Sequence, residues 1–236
     1  MAGRDLSLTT RVENVRELKK VTVPVHFSKE EIKEHFKDSM KEVKAQFNVA
    51  QELFEKGDEN GYKIILRSQV VLAEGLLDFY LHEVSKYCMF QMFCGNWDKT
   101  EKYASFMVPM SKVEEAMAVS STSEWFFEYL NNRFSRDVFL SVESMREQLN
   151  LIGVGFVKAM VKAFPRVNEQ ESNKTGAKIV EELFKRRNEI AHQNDRSHAT
   201  AEQTDISRGF VEMYIGNIEC IVEGIYAVMV ENDAIN

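Results

Sequence analysis

The sequence predicts an all-α protein: an up-and-down helical bundle with a long N-terminal helix and helical insertions in its middle. Three observations carry this. Apolar residues recur at intervals of three and four over long stretches, the repeat of one helix face. Glycine and proline number only 11 and 3 among 236 residues, too few for the many tight turns of a β-sandwich or barrel. Clusters of Gly, Asn and Asp fall between the periodic stretches, where breaks are needed.

Residues 1–27 form a polar lead-in with a short β-like connector, Val21-Thr22-Val23-Pro24-Val25. Ser28 followed by Glu31 is a capping-box signature. Beyond it Ile32, Phe36, Met40, Val43, Phe47, Ala50 and Phe54 share one face of a long amphipathic helix, which Gly57, Asp58, Asn60 and Gly61 break. The next helix, over roughly 62–93, is apolar around much of its circumference (Val70, Val71, Leu72, Leu76, Leu77, Phe79, Tyr80, Leu81) and belongs at the centre of the core. Gly95-Asn96-Trp97-Asp98 ends it. Shorter helices follow near 111–118, 123–132, 138–151 and 154–164. A helix over 175–192, a polar loop over 193–204 and a last helix over about 205–231 complete the chain. In the last, Ile206, Phe210, Tyr214, Ile218, Ile221, Ile225 and Val228 keep helical register. The expected division is a lead-in with an accessory helix over 1–61 and the bundle proper over 62–236.

Length suits one domain with a sizeable core. With 44% hydrophobic and 28% charged residues the chain has the composition of a folded soluble protein, which excludes disorder. A net charge of −7 argues against a broad basic face that coats duplex nucleic acid, while leaving room for a small basic site. Cys88, Cys94 and Cys220 are odd in number and lie in apolar helical stretches, so neither a disulfide framework nor a paired-cysteine metal motif follows. A reducing cytoplasm fits that pattern. The first twenty residues are too charged for a secretory signal. The apolar stretch Ile215–Val230 carries Glu219 and Glu223, so no membrane span is expected.

The most informative run is residues 186–196, Arg-Arg-Asn-Glu-Ile-Ala-His-Gln-Asn-Asp-Arg. Ile179, Val180, Leu183, Phe184, Ile190 and Ala191 form an apolar stripe with Arg187 near its centre, where a core-facing helix should carry Leu or Ala. Asn188 stands one turn before His192, near enough for its amide to orient the ring. Lys185, Arg186, Arg187 and Arg196 gather positive charge around His192, opposed by Glu189 and Asp195. A plainer reading is also open: a buried Arg paired with a bundle carboxylate, and a surface His at a helix C-terminus. Positions five apart point about 140° away from each other, so Arg187 and His192 do not share a face of an ideal helix. Either the helix distorts at its end, the long Arg reaches around, or a second subunit completes the site.

Arg187-Asn188-Glu189-Ile190-Ala191-His192 resembles the Arg-polar-x3-His motif of the HEPN superfamily, the higher-eukaryote-and-prokaryote nucleotide-binding domain. The extended run through Arg196 is most similar to the branch grouped with the RNase-L-like nucleases, RiboL-PSP-HEPN. Leu72-Ala73-Glu74-Gly75-Leu76-Leu77-Asp78-Phe79-Tyr80-Leu81-His82-Glu83 resembles that branch's first core helix. The similarity covers roughly 62–231. It implies a metal-independent endoribonuclease without cofactors, acting as a homodimer whose paired Arg and His face one cleft. The catalytic residues implied are Arg187, His192 and Asn188, and Lys185, Arg186 and Arg196 are the candidates to hold substrate. The partners expected are RNA, a second copy of the chain and a cognate inhibitor protein, as for a toxin or defence effector. A non-catalytic bundle that binds nucleotide or protein is the alternative.

The residue types suit the chemistry. Attack of a ribose 2′-OH on the adjacent phosphate needs a proton acceptor, and the departing 5′-oxygen needs a donor; an imidazole serves either role. A guanidinium stabilises the phosphorane's charge with paired hydrogen bonds. Two departures stand out. Some family toxins carry Tyr two residues after the motif His, and here that position is Asn194. Arg186 could also substitute for Arg187, although Asn188 supplies the following polar residue only for Arg187.

Other candidates read as structure. His82-Glu83 belongs to the core or to dimer packing, and Glu74 and Asp78 are expected to partner Arg187 or Arg186. Gly153-Val154-Gly155 is a helix break, and Lys174-Thr175-Gly176 lacks the order of a phosphate-binding loop. Trp125-Phe126-Phe127 belongs to the core and His198 to solvent.

Overall fold

In the computed structural model, which describes residues 25–118 and 123–235, every regular element is an α-helix. The connector at Val21–Pro24 lies outside the described residues. Helix α1 (Lys29–Glu55) starts at the predicted capping box: the Glu31 amide donates to Ser28 Oγ at 3.2 Å and the Ser28 amide donates to Glu31 Oε2 at 2.8 Å. Its stripe from Ile32 to Ala50 is buried, and only Phe54 leaves it for solvent. Helix α2 (Glu59–Cys94) begins at Asp58, whose carboxylate accepts from the Gly61 amide at 2.8 Å. It stops at Gly95, whose φ of 79° a residue with a Cβ rarely adopts. At 36 residues it is about 54 Å long and runs through the centre of the molecule.

Five short helices follow: α3 (Glu101–Ala104), α4 (Met110–Ala118), α5 (Glu124–Phe134), α6 (Val142–Leu151) and α7 (Phe156–Ala163). The first is too short to show a period in sequence. Helix α6 starts four residues later than expected, because Ser141 caps it by accepting from the Ser144 amide at 3.1 Å. Helices α8 (Glu169–Gln193) and α9 (Arg208–Ile235) close the bundle.

Helix α8 begins six residues earlier than its apolar pattern suggests. Asn168 caps it, and its first turns bury only Ser172 and Gly176. Gly176 faces α7 closely, since a Cβ there would stand 2.5 Å from Met160 Sδ, and Ser172 Oγ accepts from the Arg166 amide at 2.8 Å. Gly224 gives α9 the same close approach, to the Ala159 carbonyl oxygen.

One hydrophobic cluster joins α1, α2, α5 to α9 and Trp97. It runs straight across the division drawn at residue 61, so α1 is part of the same packed unit as the rest. By length and composition α9 would span a membrane, but half of its apolar window is buried in this core, and Glu219 and Glu223 pair with Lys44 and Lys33 of α1, each at 2.6 Å.

Candidate functional site

Helix α8 packs on α7 and α2 and buries Val180, Leu183 and Ile190 in the core, and Arg187 occupies the turn between Leu183 and Ile190. The helix stays regular through Gln193 and stops at Asn194, with φ of 51° there and 60° at Asp195. No distortion therefore brings Arg187 and His192 onto one face, and no hydrogen bond joins them.

Arg187 is half-buried. One terminal nitrogen donates to Asn188 Oδ1 at 3.0 Å, while Nε is buried and donates to nothing. It forms no ion pair among the described residues. Asn188 thus holds Arg187 and makes no hydrogen bond to His192, contrary to the orienting role expected of it. The Asn188 side-chain oxygen is taken up by the adjacent guanidinium, while the imidazole stands in solvent. His192 is exposed and has no hydrogen-bond partner among the described residues.

Arg186 is committed within the protein. Its two terminal nitrogens donate to the two oxygens of Asp195, one of them at 2.9 Å, and its guanidinium lies 5.6 Å from the centre of the Phe210 ring. The Asp195 side chain is fully buried and also accepts from Arg67 Nε of α2 at 2.7 Å. Arg67 donates in turn to the Thr204 carbonyl at 2.7 Å. Asp195 is thus more than a local counter-charge, and Arg67 is a partner that the sequence does not reveal; the Asn194-Asp195 pair after the helix, residue types that tolerate left-handed backbone, hints only at the turn.

Backbone contacts of Asp195 and its neighbours organise the loop after α8. The Thr204 amide donates to the Asp195 carbonyl, Arg196 and Gln203 form an antiparallel bridge, and the Gln203 amide group donates to the Asn194 carbonyl. Arg196 is exposed yet spends one terminal nitrogen on the Ala201 carbonyl at 2.8 Å. Lys185 is exposed, 3.9 Å from Glu189. Of the three proposed substrate-holding cations, Lys185 and Arg196 thus reach solvent, and Arg186 is committed to Asp195.

Glu74, one of the carboxylates expected to pair with the motif arginines, meets Tyr214 of α9 instead, with Tyr214 Oη 2.7 Å from Glu74 Oε2. Burial pushes its carboxyl up to about 7, against opposing contributions from the Tyr214 hydrogen bond and the Arg187 charge. Asp78 accepts from the Phe139 amide at 3.0 Å. Glu83 pairs with Lys86 at 2.6 Å and His82 Nε2 lies 3.1 Å from the Asp137 carbonyl oxygen. Gly153 and Gly155 both take positive φ at the break before α7. Phe126 and Phe127 are buried, Trp125 packs edge-on against Phe93, and His198 is exposed. Among the described residues no three His, Cys, Asp or Glu side chains are grouped to hold a metal ion.

Two grooves flank the end of α8. One, of about 480 Å³, lies between α2 and α8 and is lined by Ile64, Ser68, Leu72, Ile190, Ala191 and Asn194 among others. The other lies against α9, with Phe210, Met213 and Arg186 in its walls.

The family model of RiboL-PSP-HEPN matches residues 30–228, from the first turn of α1 well into α9. The chain belongs to the RiboL-PSP-HEPN family. The match begins within α1, so that helix is part of the HEPN domain and the resemblance is longer than the motif and first core helix alone suggested. No curated protein and no solved structure matches this HEPN chain.

Proposed function

We propose that the protein is a metal-independent endoribonuclease in which Arg187 and His192 act on one scissile phosphate. The observation that carries this is how differently α8 treats its adjacent arginines. Arg186 is neutralised by Asp195, whereas Arg187 forms no ion pair among the described residues and keeps a buried donor unused. An unspent guanidinium in a half-buried position suits a phosphate that arrives with its own charge. His192, open to solvent, would move the proton, and the RNA supplies the 2′-hydroxyl nucleophile.

Because the two groups point apart within a protomer, the working unit would be a two-fold dimer. Helix α2 offers the surface. Ile64, Leu72 and Phe79 are 59%, 46% and 51% exposed and share a stripe with Ser68 and Gly75. Where Gly75 would carry a Cβ there is open space, so a second helix could approach closely. Ile64 and Leu72 also line the groove reached by Ala191 and Asn194, which would set both α8 ends near the symmetry axis. A bundle that binds nucleotide without turnover is the alternative, and the lack of any hydrogen bond orienting His192 favours it.

The test is incubation of purified protein with total and transfer RNA in EDTA, beside His192→Ala. We expect 2′,3′-cyclic or 3′-phosphate ends, and a loss of about 10²–10⁴-fold in the variant. RNA bound but intact would select the non-catalytic reading; a strict need for Mg²⁺, or equal cleavage of DNA, would reject the mechanism.

A further inference from the structure

Buried between α2, α8 and α9 is a cluster that the nuclease reading does not use. Tyr214 Oη lies 2.7 Å from Glu74 Oε2 and 2.9 Å from the Leu183 carbonyl oxygen. A phenol has one proton to give, and a carbonyl can only accept. Both contacts are full hydrogen bonds only when Glu74 brings a proton of its own: the carboxylic acid donates to Tyr214, and Tyr214 donates to Leu183. A second observation agrees. Arg187 lies close enough to act on Glu74 electrostatically, yet the two form no ion pair, and Arg187 Nε stays without an acceptor. Beside a buried carboxylate, a guanidinium with a free donor would close the gap. Beside a neutral acid it has little reason to.

We propose that Glu74 is a proton-operated catch on Arg187: as the neutral acid it leaves the guanidinium for an incoming phosphate, and as the carboxylate it draws the guanidinium inward and holds it. The proposal rests on reading Arg187 as the anion-binding group. When the catch closes, the Glu74 proton passes to solvent and no covalent bond changes. Tyr214 then turns its single proton to one of its two acceptors. Glu74 is faced by Tyr214 from α9, by Arg187 from α8 and by Asp78 one turn along its own helix, whose charge favours the neutral form. Arg186 acts on Tyr214 but is tied to Asp195. Burial places the Glu74 titration near neutrality, inside the range where the protein would work. Glu74 is thus a positioning residue, acting through Arg187.

The experiment compares wild type with Glu74→Gln, which keeps the shape and the neutral state. The infrared absorption of a protonated carboxyl and the Arg187 Nε–H resonance, assigned through Arg187→Lys, are followed between about pH 5.5 and 8.5. A 2′-O-methyl RNA oligonucleotide, which cannot be cleaved, reports binding in parallel. In wild type the carboxyl signal and the Arg187 resonance should change with one midpoint. Above it, RNA binding should weaken about tenfold per unit of pH as the open fraction falls. In Glu74→Gln the signal should be missing, the resonance fixed and the binding level. An Arg187 resonance that stays still while the carboxyl titrates, or a Glu74 that is ionised throughout, overturns the catch. Both wild-type titrations decide this even if the variant fails to fold. If the resonance follows Glu74 but neither protein binds or cleaves RNA at any pH, the catch stands and the nuclease reading falls.

Discussion

Replacement of Asp195 by alanine should cost more stability than any other single change in the motif region. Asp195 has a side chain with no solvent exposure and receives two guanidinium groups, Arg67 on one oxygen and Arg186 on both. Removing one member of a buried charge pair typically costs about 3–5 kcal/mol, because the remaining charge stays where water cannot reach it. Each arginine keeps some support: Arg67 has the Thr204 carbonyl, and Arg186 has the Phe210 ring and Glu189 at 3.6 Å. The middle of that range, about 4 kcal/mol, is therefore the expected loss. For a chain of this length it corresponds to a fall in Tm of roughly 8–16 °C. Asp195 also sits at a φ of 60°, where alanine adds a backbone penalty of about 1 kcal/mol. Asp195→Gly separates the two effects, since glycine adopts that conformation freely. Calorimetry and denaturant melts on both variants are the assay. A glycine variant as stable as wild type would refute the clamp and leave only strain, and an alanine variant within about 1 kcal/mol of wild type would refute both.

The stability of the protein should depend on pH through Glu74. Its carboxyl is raised from 4.5 to about 7 in the fold, so the native state holds an extra proton between those values. Stability contributed by this group is complete below pH 4.5 and disappears as pH rises through 7, a loss of about 3 kcal/mol by pH 8 that Glu74→Gln should abolish; parallel melts across that range in both proteins would contradict it. Arg187→Leu replaces a half-buried charge without an ion pair by a side chain that continues the Leu183–Ile190 stripe. Tm should hold or rise while cleavage disappears, and an unfolded variant would show that Arg187 is structural. Leu72→Lys and Phe79→Lys should convert a dimer into a protomer of unchanged helicity; light scattering that finds active wild type as a monomer at micromolar concentration removes the dimer from the mechanism.

How legible this protein was depends on what kind of contact fixed each part. Helices built on large apolar residues could be read directly, as Ile32 to Ala50 in α1 and the run from Phe210 to Val228 in α9 show. The first turns of α8 could not, because Ser172 and Gly176 pack through smallness rather than hydrophobicity and leave no period. At the site, spacing exposed the conflict between Arg187 and His192, and the regular helix keeps it. Which arginine was committed elsewhere was hidden. Asp195 follows Arg186 by nine residues and returns to it only because Asn194 and Asp195 both adopt left-handed backbone. Its second partner, Arg67, is 128 positions away, and Tyr214 stands 140 positions from Glu74. Such pairings are set by how helices cross, which one-dimensional spacing does not record.

The loop between α8 and α9 has a division of labour that a protein engineer can use. Its stem is fastened to the bundle by Asp195, Thr204 and Arg67 and zipped by the Arg196–Gln203 bridge, whereas residues 198–201 at its tip are exposed and, among the described residues, hydrogen-bond with the stem. Chain inserted at the tip would have its ends held together already, so the closure entropy that an insertion normally incurs is largely met by the stem. A fluorophore, an epitope or a whole reporter domain could be carried there, a few residues from His192, without reaching into the core that sets the helix. That makes the tip a natural port for testing whether RNA docks at the end of α8.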